Sequence, residues 1–148
     1  MSADATIDVV QEIIRREGRS FLQYIGDTFP WVADEDRAAF VRLKQIIAGQ
    51  QQGIGDLSRF LTRRRAEAPY LGSYLQSFTT WNFVSVKALL PRLVADVRRG
   101  VDALAADMAR VSDPEARALV EHYLALKKRH LQTLEGMMVP SPQPAAVA

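Results

Sequence analysis

Apolar positions recur at alternating spacings of three and four along four stretches of the chain, the period of a helix with one buried face. The first, Asp4 to about Gly26, places Ile7, Val10, Ile14, Glu17, Phe21 and Tyr24 on one stripe. The second, about Asp34 to Arg65, carries Phe40, Leu43, Ile47, Gln50, Ile54, Leu57 and Leu61. A third, capped by Thr79 or Thr80 and running to about Val111, carries Val86, Leu90, Leu93, Val97, Val101, Leu104 and Met108. The fourth, about Pro114 to Met137, aligns Ala116, Leu119, Tyr123, Leu126, His130, Leu134 and Met137. This pattern predicts an all-α protein of four long helices.

The breaks between stretches decide how such helices connect. Pro30 disfavours helix at Phe29, and Asp34-Glu35-Asp36 suits a helix start, so the first connection is short. Ser112-Asp113-Pro114-Glu115 reads as a capping side chain, a first-turn proline and an acid, which makes the last connection short as well. Between the second and third stretches lies Glu67–Thr80, EAPYLGSYLQSFTT, with Pro69, Gly72 and three aromatics. A helix of about 30 residues is about 45 Å long, and this linker reaches about 46–50 Å when extended. It is therefore expected to cross the whole bundle and leave the second and third helices parallel; the alternative is an irregular loop anchored by aromatics at one end. Pro91, inside the third helix, is expected to kink or loosen one turn.

Polar residues interrupt the stripes at Glu17, Gln50 and His130. Gln50 sits in GQQQG, flanked by Gly49 and Gly53, each of which costs about 1 kcal/mol of helix propensity relative to alanine. Counting rise from each turn brings Glu17, Gln50 and His130 within about 10 Å along the bundle axis. Lys127 lies one turn before His130. We therefore expect Glu17, Gln50, Lys127 and His130 to form a hydrogen-bonded cluster in which Lys127 or a protonated His130 supplies the positive charge. The alternatives are an ordinary half-buried histidine and a glutamate at the seam edge whose carboxylate reaches water. Gly49 and Gly53 leave a bare helix face, where either a bulky neighbour such as Trp81 or a second helix packs closely, or a haem or flavin lies with His130 beside it.

Composition narrows the function classes. The 148-residue chain is 48% hydrophobic and 24% charged, with no cysteine and a net charge of +2. That describes an ordinary globular domain without disulfides or thiolate chemistry. The charge is too small to imply a nucleic-acid partner, and the arginine runs are flanked by acids at helical spacing. No apolar run is long enough to span a bilayer, and the N-terminus lacks a signal-peptide pattern, so a cytoplasmic location is expected. Phosphate loops, nucleophile elbows and calcium-loop spacing are absent.

Helix lengths, connection lengths and stripe positions over about Asp4–Met137 resemble the ferritin-like superfamily, which includes the rubrerythrins and bacterioferritins. The resemblance implies a four-helix bundle with a long crossover between helices two and three. It also implies an iron or manganese pair held by a Glu on the first and third helices and Glu-x-x-His on the second and fourth. Here Glu17 matches the first position and His130 the last. Gln50-x-x-Gly53 replaces the second-helix motif, Lys127 replaces the fourth-helix Glu, and Leu93–Val97 offers no inward carboxylate. The expected protein is a ferritin-like bundle over 1–138 with a degenerate metal site, followed by a disordered, Pro-rich tail over 139–148. Its expected role is a non-catalytic binding or assembly module, a homodimer or other homo-oligomer with no nucleic-acid or membrane partner and no cofactor. The alternative is an oxidoreductase that binds iron, manganese, haem or flavin through a reduced set around Glu17 and His130.

Overall fold

The computed structural model describes residues 3–28 and 32–138 and contains no strand among them. Five α-helices follow in order: α1 (Ala3–Gly18), α2 (Phe21–Thr28), α3 (Arg37–Arg63), α4 (Val86–Met108) and α5 (Pro114–Met138). Two 3-10 turns, Asp34–Asp36 and Gln76–Trp81, lie in the connections. The tail over 139–148 and the Phe29–Trp31 part of the first connection are outside the described residues. Among the described residues no helix is long and apolar enough to cross a membrane.

Local chemistry sets the helix ends, and several differ from expectation. The first stretch is two helices: Ser20 restarts the chain by accepting a hydrogen bond at Oγ from Gln23 N (3.3 Å). The stripe passes through this break in phase, which is why periodicity alone ran the two together. Helix α3 stops at Arg63 in a paired closure, with Arg65 N donating to Thr62 O (3.0 Å) and Ala66 N to Leu61 O (2.9 Å). This is a Schellman arrangement, and Arg65 occupies its left-handed position at φ 55°, where glycine is usual. The third helix begins later than expected, because Ser85 is its cap and accepts from Ala88 N at 3.2 Å. Thr79 and Thr80 instead donate to Gln76 O and Ser77 O inside the 3-10 turn. Helix α4 continues through Pro91, which lies in its second turn. Asp113 caps α5, accepting at Oδ2 from Ala116 N (3.0 Å), with Pro114 as the first helical residue.

Cross-chain contacts fix which faces meet. Arg63 and Arg64 at the end of α3 bond Glu115 and Asp113 at the start of α5, while Gly49 lies against His130, so these helices are antiparallel. Gly100 against Lys127 and Arg98 with Glu135 make α4 antiparallel to α5. Helix α1 packs on α3 and α4, and α2 on the same pair. The linker after α3 touches α1 and α2 in chain order. Glu67 O accepts from Gln11, Leu71 packs on Gly18, Gly72 O accepts from Arg19, and Tyr74 donates to Asp27. Phe78 then buries itself against Phe21 and Tyr24, with Trp81 edge-on to Phe21. Tyr70 and Phe83 do not join this anchor and are 88% and 91% exposed.

The apolar core divides in two. One cluster joins Phe21, Leu22, Ile25, Leu43, Ile47, Leu93, Val97 and Leu134. The other joins Val10, Ile14, Leu57, Phe60, Leu104, Val120 and Tyr123. Along α1, α3 and α5 the two clusters are separated by Glu17, by Gln50 and Gly53, and by Lys127 and His130; on α4, Gly100 faces this layer beside Val101, which still belongs to the first cluster. The site lies in this layer.

Candidate functional site: a charged layer between two cores

Glu17 ends the last full turn of α1 and faces inward at 2% exposure; Lys127, from the middle of α5, is 3% exposed. Lys127 Nζ donates to Glu17 Oε1, and Tyr123 OH donates to the same oxygen at 2.9 Å. Glu17 Oε2 accepts from Arg16 Nε at 3.3 Å. The series continues outward: Arg16 Nη2 stands 3.0 Å from Asp107 Oδ2, as an ion pair without hydrogen-bond alignment. Asp107 Oδ1 lies 3.5 Å from Arg110 Nη1, which also bonds Glu12 Oε2 at 3.0 Å. Positive and negative groups thus alternate from the core to the surface. Each buried charge has an opposite neighbour, which a low-dielectric interior requires.

Burial is the largest influence on the Glu17 carboxyl and pushes its pKa up. The charge and hydrogen bond of Lys127, with help from Arg16 and Tyr123, outweigh it and hold the carboxyl below the ordinary value. Tyr123 moves the other way, since burial and the adjacent carboxylate raise its phenol well above 10.0 and keep it a donor. The carboxylate stays ionised with both oxygens engaged. It is neither a poised general base nor paired with a nucleophile.

Gln50 and His130 form a second, separate pair. Gln50 is buried, and its Nε2 stands 3.3 Å from His130 Nδ1. With the amide as donor, the imidazole nitrogen is the acceptor. Burial first, then the charges of Arg129 and Lys127, lower the His130 pKa. His130 is therefore the neutral member, and Lys127 is the cation beside Glu17. The four residues expected in one cluster are brought to one layer as two pairs, Glu17 with Lys127 and Gln50 with His130.

Glycines make the layer possible. A Cβ on Gly53 would stand 2.7 Å from Tyr123 Cε1, and one on Gly49 would stand 3.1 Å from His130 Cε1. The bare face of α3 is filled by these two rings of α5; the neighbour is neither Trp81 nor open space. Gly100 has the same role toward Lys127, since an added Cβ would lie 3.2 Å from Lys127 Cε and closer still to Nζ. Sequence reasoning missed Arg16, Asp107, Tyr123 and Gly100 as partners. Gly100, at the level of Glu17 on the buried face of α4, was the available signal.

These residues do not fit a di-metal centre. Among the described residues, no three His, Cys, Asp or Glu side chains converge in a metal-binding group. Lys127 Nζ occupies the position facing the Glu17 carboxylate that a cation ligand set would need free. Comparison of the chain with protein families, with curated proteins and with solved structures found no match.

Proposed function

We propose that this protein is a ferritin-like four-helix bundle whose metal centre has been replaced by an internal ion pair, and that it works as a non-catalytic binding or assembly module. In this reading α1 and α2 together form the first helix, and residues 64–85 are the crossover. The order of linker contacts along α1 and α2 supports that, as does the antiparallel setting of α3 and α4 against α5. The observation that carries the proposal is the Lys127 ammonium on the Glu17 carboxylate, between two apolar clusters. It supplies in a side chain the positive charge that metal ions bring in the ferritin-like proteins.

The surface offered for assembly is the linker, where Tyr70 and Phe83 are 88% and 91% exposed. Phe83 is also held at a φ of 65°, a conformation bulky residues rarely adopt. Homodimerisation through this face is part of the proposal. Metal analysis of protein produced in iron- and manganese-supplemented medium tests the central claim. Less than one-tenth of an equivalent is expected, and a stoichiometric metal would overturn it in favour of an oxidoreductase built on Glu17 and His130. Light scattering on wild type and Phe83→Ser tests the second part, which fails if both are monomers.

A further inference from the structure

A cleft of about 340 Å³ opens between α1, the linker and α4, with the Glu17–Lys127 pair as its floor. That volume is within the range of small-molecule sites, about 300–1,000 Å³. Its charges are unevenly matched. At depth, Lys127 and Arg16 face Glu17 and Asp107, two cations against two carboxylates. Nearer the mouth, Arg92 and Arg99 share one carboxylate, Asp96: Arg92 Nε donates to Oδ2 at 2.9 Å and Arg99 pairs with Oδ1. A guanidinium has five N–H donors, so this arrangement leaves one unit of positive charge and spare donor capacity at the mouth.

Arg92 is also held in place. Its guanidinium lies 5.1 Å from the Phe21 ring centre and 5.8 Å from that of Trp81. A fixed cation loses little freedom on binding an anion. The adjoining wall is apolar, formed by Leu75, Phe78 and Ala103, and Leu75 is 65% exposed beside it. Gly100 lines the floor without a side chain, which leaves room there for Lys127.

We propose that this cleft binds a small organic anion, a carboxylate on a short apolar body, with its charged head on Arg92 and Arg99 and its body against Leu75 and Ala103. This gives a ligand class to the binding module proposed above and rests on that reading.

Amide-resonance NMR of the full chain, titrated with phenylacetate, neutral phenylacetamide and inorganic phosphate, tests it. Phenylacetate should give saturable shifts centred on Ser20, Leu75, Gly100 and Ala103, and should bind at least several-fold tighter than either of the others. Absence of saturation, shifts spread over arginines elsewhere, or equal binding of the neutral amide or of phosphate would each overturn the proposal. Two variants push in opposite directions. Asp96→Asn removes the shared carboxylate and should tighten binding about threefold or more, and Arg99→Gln should weaken it by a similar factor. Arg99 is 66% exposed, so its loss leaves the fold intact; tightening that fails to appear in a folded Asp96→Asn protein also counts against the site. A stoichiometric metal would strike the ion-pair reading without touching this titration. A silent titration would leave the ion pair standing.

Discussion

Replacing Lys127 by methionine isolates what the charged layer contributes. The side chain keeps nearly its length and apolar contacts but loses the ammonium, leaving the 2%-exposed Glu17 with only Arg16 and Tyr123. Breaking a buried pair by removing one partner costs about 3–5 kcal/mol. The lower end applies here, because Arg16 still offers a charge at 3.3 Å and Tyr123 a hydrogen bond. With a urea dependence of about 2 kcal/mol per molar, a loss of about 3 kcal/mol moves the unfolding midpoint down by about 1.5 M. Adding Glu17→Gln removes the stranded charge, so the double variant should recover part of the loss, and the cycle should show coupling of about 2 kcal/mol.

The pH dependence gives an independent sign. In the wild type the folded carboxyl lies below 4.5, so its stabilisation is complete above that value and is lost as pH falls through the folded pKa. In Lys127→Met, burial, the largest influence, is opposed only by Arg16 and Tyr123, and the folded carboxyl is expected to rise above its unfolded value. The folded state then binds more protons, and the variant should gain stability as pH falls toward 4.5. Urea unfolding followed by circular dichroism at several pH values measures both quantities. Coupling below about 0.5 kcal/mol, or a pH slope of unchanged sign, would refute the ion pair as the organising contact of the layer.

Gly53→Ala should destabilise by about 2 kcal/mol despite better helix propensity, because its Cβ would meet the buried Tyr123 ring. Gly136→Ala, with nothing within 4 Å, should stabilise by about 0.5–1 kcal/mol; thermal unfolding of the two separates packing from propensity. Arg65→Gly should stabilise by about 1 kcal/mol, since Arg65 holds a left-handed φ of 55° in the closing turn of α3. His130 should titrate by proton NMR below its ordinary 6.5. The neutral ring therefore supports stability above that value, and the contribution fades as pH falls through the lower folded pKa.

The sequence by itself determined that the chain is helical, where most helices lie, and which positions interrupt their buried faces. Three-four periodicity reports burial directly, and Asp113-Pro114 carries its capping chemistry within adjacent residues. It placed Glu17, Gln50, Lys127 and His130 at one level because rise per residue is constant along a helix. Only tertiary structure decided how those four pair. Whether Glu17 meets Lys127 or His130 depends on helix rotation and on space, and Gly100 provides that space from a helix remote in sequence. The Ser20 restart and the Arg65 closure escaped for a related reason: one left the stripe in phase, and the other uses a residue that carries no turn signal. The linker shows both sides in one segment. Its aromatics were legible as an anchor, but which would bury and which would face water depended on the pocket that Phe21 and Tyr24 form from another part of the chain.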